Sequence, residues 1–139
     1  MTQQTPSAEH PDNLTDVPSV ADYRRVFPDC VRKVRSETEK KRGQMLIVDM
    51  LKAHYESPDR TTTARALAEQ FGLTSTGAAN LKYGNFAKAL CAELNRTPKY
   101  KVSILATFDG GRPDEDMVRW TMLPQVATAL EELGWIGRK

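Results

Sequence analysis

The stretch from Thr61 to Leu94, TTTARALAEQFGLTSTGAANLKYGNFAKALCAEL, constrains the chain most, because its punctuation dictates a short helix, a glycine turn and a longer second helix. That is the element order of a helix-turn-helix. Thr63 directly precedes Ala64, Arg65, Ala66, Leu67 and Ala68, so its hydroxyl can accept from one of the first unpaired backbone N–H groups and start a helix. Gly72 tolerates the left-handed conformation that closes a last turn, and Leu73 can fold back as the accompanying apolar contact. Ser75 or Thr76 starts the second helix, whose apolar stripe is Ala79, Tyr83, Phe86 or Ala87, Leu90 and Leu94. The other side carries Thr76, Asn80, Lys82, Asn85 and Lys88, side chains that reach phosphates and base edges.

Gly77 and Gly84 are awkward there, each costing roughly 0.5 to 1 kcal/mol relative to alanine in a helix interior. Two accounts compete. Either the helix approaches another backbone closely, a neighbour or a nucleic-acid strand, or Gly77 lies in the turn and Gly84 allows tight packing on the first helix.

A chain of 139 residues fits one domain with a real core. The net charge of +2 does not by itself indicate nucleic acid, but its distribution is uneven. Residues 1–18 hold Glu9, Asp12 and Asp16 and no Lys or Arg, leaving a body of +5. This proline-bearing, acidic stretch is expected to be a disordered tail, with a single domain over 19–139. Cys30 and Cys91 form no paired motif, so they are expected to be reduced, partly buried thiols of a cytoplasmic protein. No apolar run approaches a membrane span and the N-terminus lacks signal-peptide character, so no membrane partner is expected.

Order should begin at Ser19, where Ser19 to Asp22 forms a cap for a helix with Val20, Tyr23, Val26 and Phe27, interrupted or restarted at Pro28. A second cap, Ser36 to Glu39, should lead into the most apolar helix, carrying Met45, Leu46, Val48, Met50, Leu51 and Tyr55. Between them runs a basic segment with Arg32, Lys33, Arg35, Lys40, Lys41 and Arg42 against Glu37 and Glu39. Beside a helix-turn-helix it would hold phosphates and supply affinity without sequence selectivity; the alternative is a solvated face of alternating charge.

After Leu94, Lys101 to Phe108 reads as a β-strand, Asp109 to Pro113 as a turn and Met117 to Met122 as the returning strand. A hairpin directly after a helix-turn-helix is the wing of a winged helix, and Thr61 to Thr63 would lend a third strand. The loop holds Arg112 but also Asp109, Asp114, Glu115 and Asp116, and that acidic cluster opposes insertion of a wing tip between phosphates. Pro124 opens a final helix with Val126, Leu130 and Leu133 inside, Gly134 ends it, and Trp135 with Ile136 should return to the core. The alternative for Trp135 is a sticky patch, which with the C-terminal helix would make a homodimer.

Catalysis finds no support. His10 lies in the tail, and His54 reads as a surface or capping residue. No phosphate loop, zinc ligand set or nucleophile motif is present, so no catalytic or metal-binding residue and no cofactor is assigned. Asp109 with Gly110 and Gly111 is a hairpin turn.

The stretch RTTTARALAEQFGLTSTGAANLKYGNFAKAL, followed by VRWTMLPQVATALEELGW, resembles a small module found beside HNH-type nuclease domains in bacterial proteins predicted to act in restriction. The likeness spans Arg60 to Trp135. In that module a helix-turn-helix-like stretch precedes a tryptophan-containing strand and a Leu-Pro-led helix ending in Gly-Trp. The resemblance implies recognition of DNA or a part in bacterial defence. The chain has no HNH motif, so nuclease activity does not carry over.

The expectation is therefore an α+β, mostly helical winged-helix-like domain with a β-hairpin wing and extra N- and C-terminal helices. Its leading function is binding of double-stranded DNA as a module or regulator linked to bacterial or phage defence. The helix from Ser75 would lie in the major groove with Asn80 and Asn85 reading adenine edges. Lys82, Lys88 and the run from Arg32 to Arg42 would hold phosphates, with Thr76 on the same nucleic-acid-binding face. The alternative is a protein-interaction module, such as a phage-encoded inhibitor that binds a host defence nuclease complex.

Overall fold

The structure is a computed structural model that describes residues 13–73, 75–109 and 118–136. Among these, six helices surround a small sheet: α1 (Val20–Val34), α2 (Glu37–Lys41), α3 (Leu46–Glu56), β1 (Thr61–Thr62), α4 (Ala64–Gln70), α5 (Thr76–Leu94), a 3-10 turn (Lys101–Ile104), β2 (Ala106–Asp109), β3 (Arg119–Met122) and α6 (Pro124–Leu133). The fold is mostly helical α+β with a β-hairpin, as expected.

The helix starts follow their caps. The hydroxyls of Ser19, Ser36, Thr63 and Ser75 accept from the N–H groups of Asp22, Glu39, Ala66 and Ala78 at 3.1, 3.1, 3.0 and 3.2 Å. The ends follow one device as well. Gly72 and Gly134 have φ of +63° and +75°, and the residues after them, Leu73 and Trp135, donate back to Ala68 and Leu130 at 2.9 and 3.2 Å.

The sheet is antiparallel in the order β1-β3-β2, with Thr61 opposite Thr121 and Phe108 opposite Trp120. Thr61 does supply the third strand, and its hydroxyl meets that of Thr121 at 2.8 Å. The core runs through α5, whose Ala79, Tyr83, Phe86, Ala87, Leu90, Cys91 and Leu94 are buried against α1, α4 and the 3-10 turn. Phe27 of α1 packs on Phe86 with centroids 5.5 Å apart and stacks on Trp135 at 6.1 Å. Trp135 is half-buried and Ile136 buried, so both return to the core.

Five expectations need correction. Pro28 does not interrupt α1. It removes one intrahelical donor, but Tyr23, Val26, Phe27, Cys30 and Val31 form a continuous buried stripe across it, and that packing outweighs the loss. The cap at Ser36 opens the separate five-residue α2, not the apolar helix, because Gly43 at φ +66° stops it and Gln44 donates back to Glu39 at 2.8 Å.

The first half of the expected strand Lys101–Phe108 is the 3-10 turn instead. Val102, Ser103, Ile104, Leu105 and Ala106 are all buried in succession, which no alternating strand face allows, and the Ser103 hydroxyl donates to the Tyr100 carbonyl at 2.7 Å to close the turn. The stretch 13–18 joins the fold rather than the tail. The Asn13 side chain accepts from the N–H of Phe108 on edge strand β2 at 3.1 Å, and Leu14 and Val17 pack on the core. Residues 1–12, His10 among them, lie outside the described residues, as do Asp114, Glu115 and Asp116 with Arg112, expected in the wing loop.

His54 is the fifth. It is neither surface nor cap but 1% exposed, between β3 and α5. Its Nε2 sits 2.9 Å from the Trp120 carbonyl and its Nδ1 2.9 Å from the Tyr83 hydroxyl. A carbonyl only accepts, so Nε2 carries the proton and Nδ1 accepts from Tyr83, which fixes a neutral tautomer. Desolvation pushes its pKa down to about 4.

Candidate nucleic-acid interface

With α5 enclosed by α1, α4 and the 3-10 turn, only a narrow stripe of it faces outward. Gly77, Leu81, Asn85, Lys88 and Ala92, spaced three or four apart, are its exposed positions, with Glu93 beside the last. The two amides assigned to base edges therefore part company. Asn85 stands on the stripe, whereas Asn80 is half-buried and lies about 140° away around the helix by its five-residue separation. Thr76 is half-buried in the first turn.

Lys82 is a correction. Its expected place is on a phosphate, but its side chain is 14% exposed and its ammonium donates to the buried Glu39 carboxylate and, at 2.8 Å, to the Val34 carbonyl. Glu39 is satisfied further by the Leu46 N–H at 2.9 Å. Burial opposes its ionisation, yet the Lys82 ammonium and the Leu46 N–H outweigh that and hold its carboxyl below the usual range. Lys82 thus ties α5 to α2 and the end of α1, because a buried carboxylate needs a counter-charge. The capping-box spacing of Ser36 and Glu39 is visible in the sequence; the distant partner of Glu39 is not.

The basic segment divides. Arg32 pairs with Asp29 one turn back in α1, and Lys40 with Glu37 at 3.2 Å. Lys33 and Arg35 instead reach a groove between the end of α1 and α5. Lys33, Val34, Arg35 and Ser36 form one wall, and Asn85, Lys88, Ala89 and Ala92 form the other. The alanines leave the floor open.

Within the groove, Arg35 is oriented by a 2.6 Å bond from Nε to the Gln44 carbonyl, which leaves the far edge of its guanidinium available. Lys33 meets Glu93 at 2.8 Å with both side chains well exposed, an ion pair that water and salt weaken. Lys88 has no ion pair among the described residues. Lys41 and Arg42 stand at the end of α2, which starts at the groove wall; at 1.5 Å per residue they lie roughly 8 to 9 Å from Ser36 along its axis.

Four of the expected residues, Lys33, Arg35, Asn85 and Lys88, are therefore brought to one groove, with Lys41 and Arg42 beyond its rim. Thr76, Asn80, Lys82, Arg32 and Lys40 do not join them. Ser36, which lines the groove with a hydroxyl engaged in capping, has no such place in the sequence pattern.

Gly84 behaves differently from either account of it. A Cβ built there meets nothing within 4 Å, so no helix packs tightly on it. It lines a second cleft on the opposite side of Lys88, between α5 and the 3-10 turn. Among the described residues no helix is long and apolar enough to cross a membrane. No family model, no curated protein and no solved structure matches the chain.

Proposed function

We propose that the protein binds double-stranded DNA without catalysing a reaction on it, gripping the phosphate backbone in the groove between α1 and α5. The observation that carries this is the convergence of Lys33, Arg35 and Lys88 on one open groove, with Lys88 lying 55 and 53 residues beyond the other two in the chain and Asn85 beside it. Cations placed along a groove neutralise successive phosphates and release counterions, which gives affinity that weakens with salt. Asn85 is the one base-edge reader that the exposed stripe retains. The order α4, turn, α5 and hairpin, with β1 as third strand, supports a winged-helix arrangement in which that stripe faces the duplex. The link to bacterial or phage defence rests on the sequence resemblance alone.

The experiment is fluorescence anisotropy of a labelled generic duplex across a salt series. Binding should be tightest at low salt. Lys33→Ala and Lys88→Ala should each reduce the slope of log K against log salt by about one, since each removes one phosphate contact. Lys82→Ala should leave the slope unchanged. Absence of binding at low salt would remove the proposal.

One observation favours the second reading, a protein-interaction module such as a phage-encoded inhibitor of a defence nuclease complex. Leu81 is 64% exposed on the same stripe as Asn85 and Lys88, and a large apolar side chain there suits a protein surface better than a polyanion. A duplex titration with no binding at any salt leaves this reading standing. The homodimer through α6 and Trp135 has less to offer a partner, since Trp135 already stacks on Phe27.

A further inference from the structure

The second cleft, about 270 Å³, opens between α5 and the 3-10 turn. Its position depends on Gly84, because with no side chain there the cleft reaches past α5 to Trp120 on β3. Trp120 is 1% exposed and stacks on Tyr83 with centroids 5.2 Å apart. Its indole Nε1 is the one buried side-chain polar atom without a hydrogen-bond partner among the described residues. A buried donor left unpaired is costly, and such groups in native proteins call for a partner. Tyr100 forms a further wall, and Lys88 and Lys101 stand at the mouth. Both lysines are exposed and neither has an ion pair among the described residues.

From this combination we infer that the cleft is a binding site for a small single-ring aromatic carboxylate that carries a hydrogen-bond acceptor on its ring. The ring lies beside Tyr100 and over Gly84, where a larger side chain in place of the glycine would intrude, with the buried Trp120 at the floor of the cleft. The ring acceptor takes the indole N–H. The carboxylate sits between the ammonium groups of Lys88 and Lys101, which supply charge-assisted hydrogen bonds. The volume falls just under the usual range for drug-sized ligands, which limits the occupant to one ring. This inference does not depend on DNA binding: Lys101 and Trp120 line the cleft and not the α1/α5 groove, whereas Lys33 lines only the groove.

The test follows the indole N–H cross-peak of Trp120 in nitrogen-15 labelled full-length protein, assigned with Trp135→Phe, during titration with three probes. Nicotinate has ring, acceptor and charge; benzoate lacks the ring acceptor; nicotinamide lacks the charge. Nicotinate should shift the Trp120 peak and bind at least about tenfold more tightly than either of the others, the gain expected from one well-placed charged or buried hydrogen bond. Lys101→Ala, an exposed site that leaves the fold alone, should remove most of nicotinate's advantage over nicotinamide. Gly84→Leu should abolish the shift by filling the cleft. A Trp120 peak that stays still at high millimolar nicotinate overturns the inference. So does equal binding of all three probes, or nicotinate binding that survives Lys101→Ala undiminished.

Discussion

His54 shows how one polar side chain can hold a core together and make its stability depend on pH. It bridges α3 to α5 through the Tyr83 hydroxyl and to β3 through the Trp120 carbonyl, and burial keeps it neutral with a pKa of about 4 against an ordinary 6.5. The unfolded chain binds a proton throughout the window between those values while the folded chain does not. Stability therefore rises with pH across it and is lost as pH falls from 6.5 towards 4. At 1.36 kcal/mol per unit, the loss amounts to about 3 kcal/mol. The depressed Glu39 carboxyl adds a loss of the same sign at lower pH, as its bond to Lys82 is protonated away. Urea denaturation at a series of pH values checks this. His54→Gln should be less stable at pH 7 by about 1 to 3 kcal/mol, since its amide meets both partners imperfectly, but should show little pH dependence between 6.5 and 4.5. A variant that keeps the wild-type slope would show that another group titrates in that window. The spacing of Ile47, Met50, Leu51 and His54, all buried on α3, places this histidine on the inner stripe, and that spacing is legible in the sequence itself.

At the scale of elements, α5 is legible in large part and misleading in one respect. Its cap, its inner stripe and its preceding glycine turn follow from local chemistry, and those rules act within a few residues, where a sequence speaks plainly. Which outer residues remain outside depends on what packs beside the helix. Lys82 is drawn in by Glu39, 43 residues away, and Asn80 lies towards the 3-10 turn, so these two of the five outer side chains leave the apparent recognition face. The same reason explains α1: Pro28 is a local argument for a break, overruled by a stripe that only the assembled core makes worthwhile. Gly84 yields the prediction for this scale. The space around it is empty, its backbone is helical and nothing demands glycine sterically, so Gly84→Ala should stabilise the fold by about 0.5 to 1 kcal/mol through helix propensity. Thermal and urea unfolding at neutral pH measure it. A destabilised Gly84→Ala would mean that the first methyl already disturbs the cleft above Trp120, in conflict with the space seen there.

For the whole molecule, the arrangement that matters is that α5 separates two concave surfaces and Lys88 belongs to both. On one side it faces Lys33 and Arg35 across the α1/α5 groove; on the other it faces Lys101 across the cleft. No reading of the chain in order shows this, because the groove joins α1 to α5 and the cleft joins α5 to β3, and only the packed core sets both beside one lysine. The two surfaces lie on opposite sides of α5, so the Lys88 side chain that carries the shared ammonium turns towards a phosphate in the groove or towards a carboxylate in the cleft. If each surface takes its proposed ligand, the two must compete, and the coupling is reciprocal in the binding free energies. Saturating nicotinate should weaken duplex binding and lower its salt slope by about one, the contribution of one lost phosphate contact. Duplex should in turn raise the concentration of nicotinate needed to shift the Trp120 peak, by the same factor. Lys88→Ala should abolish the coupling while leaving weakened binding at each surface, held by Lys33 with Arg35 on one side and by Lys101 on the other. Anisotropy titrations with and without nicotinate, at matched ionic strength, decide the matter. Duplex affinity unchanged with the cleft demonstrably full would show that Lys88 commits to one surface alone, and the salt slope of Lys88→Ala would then say which.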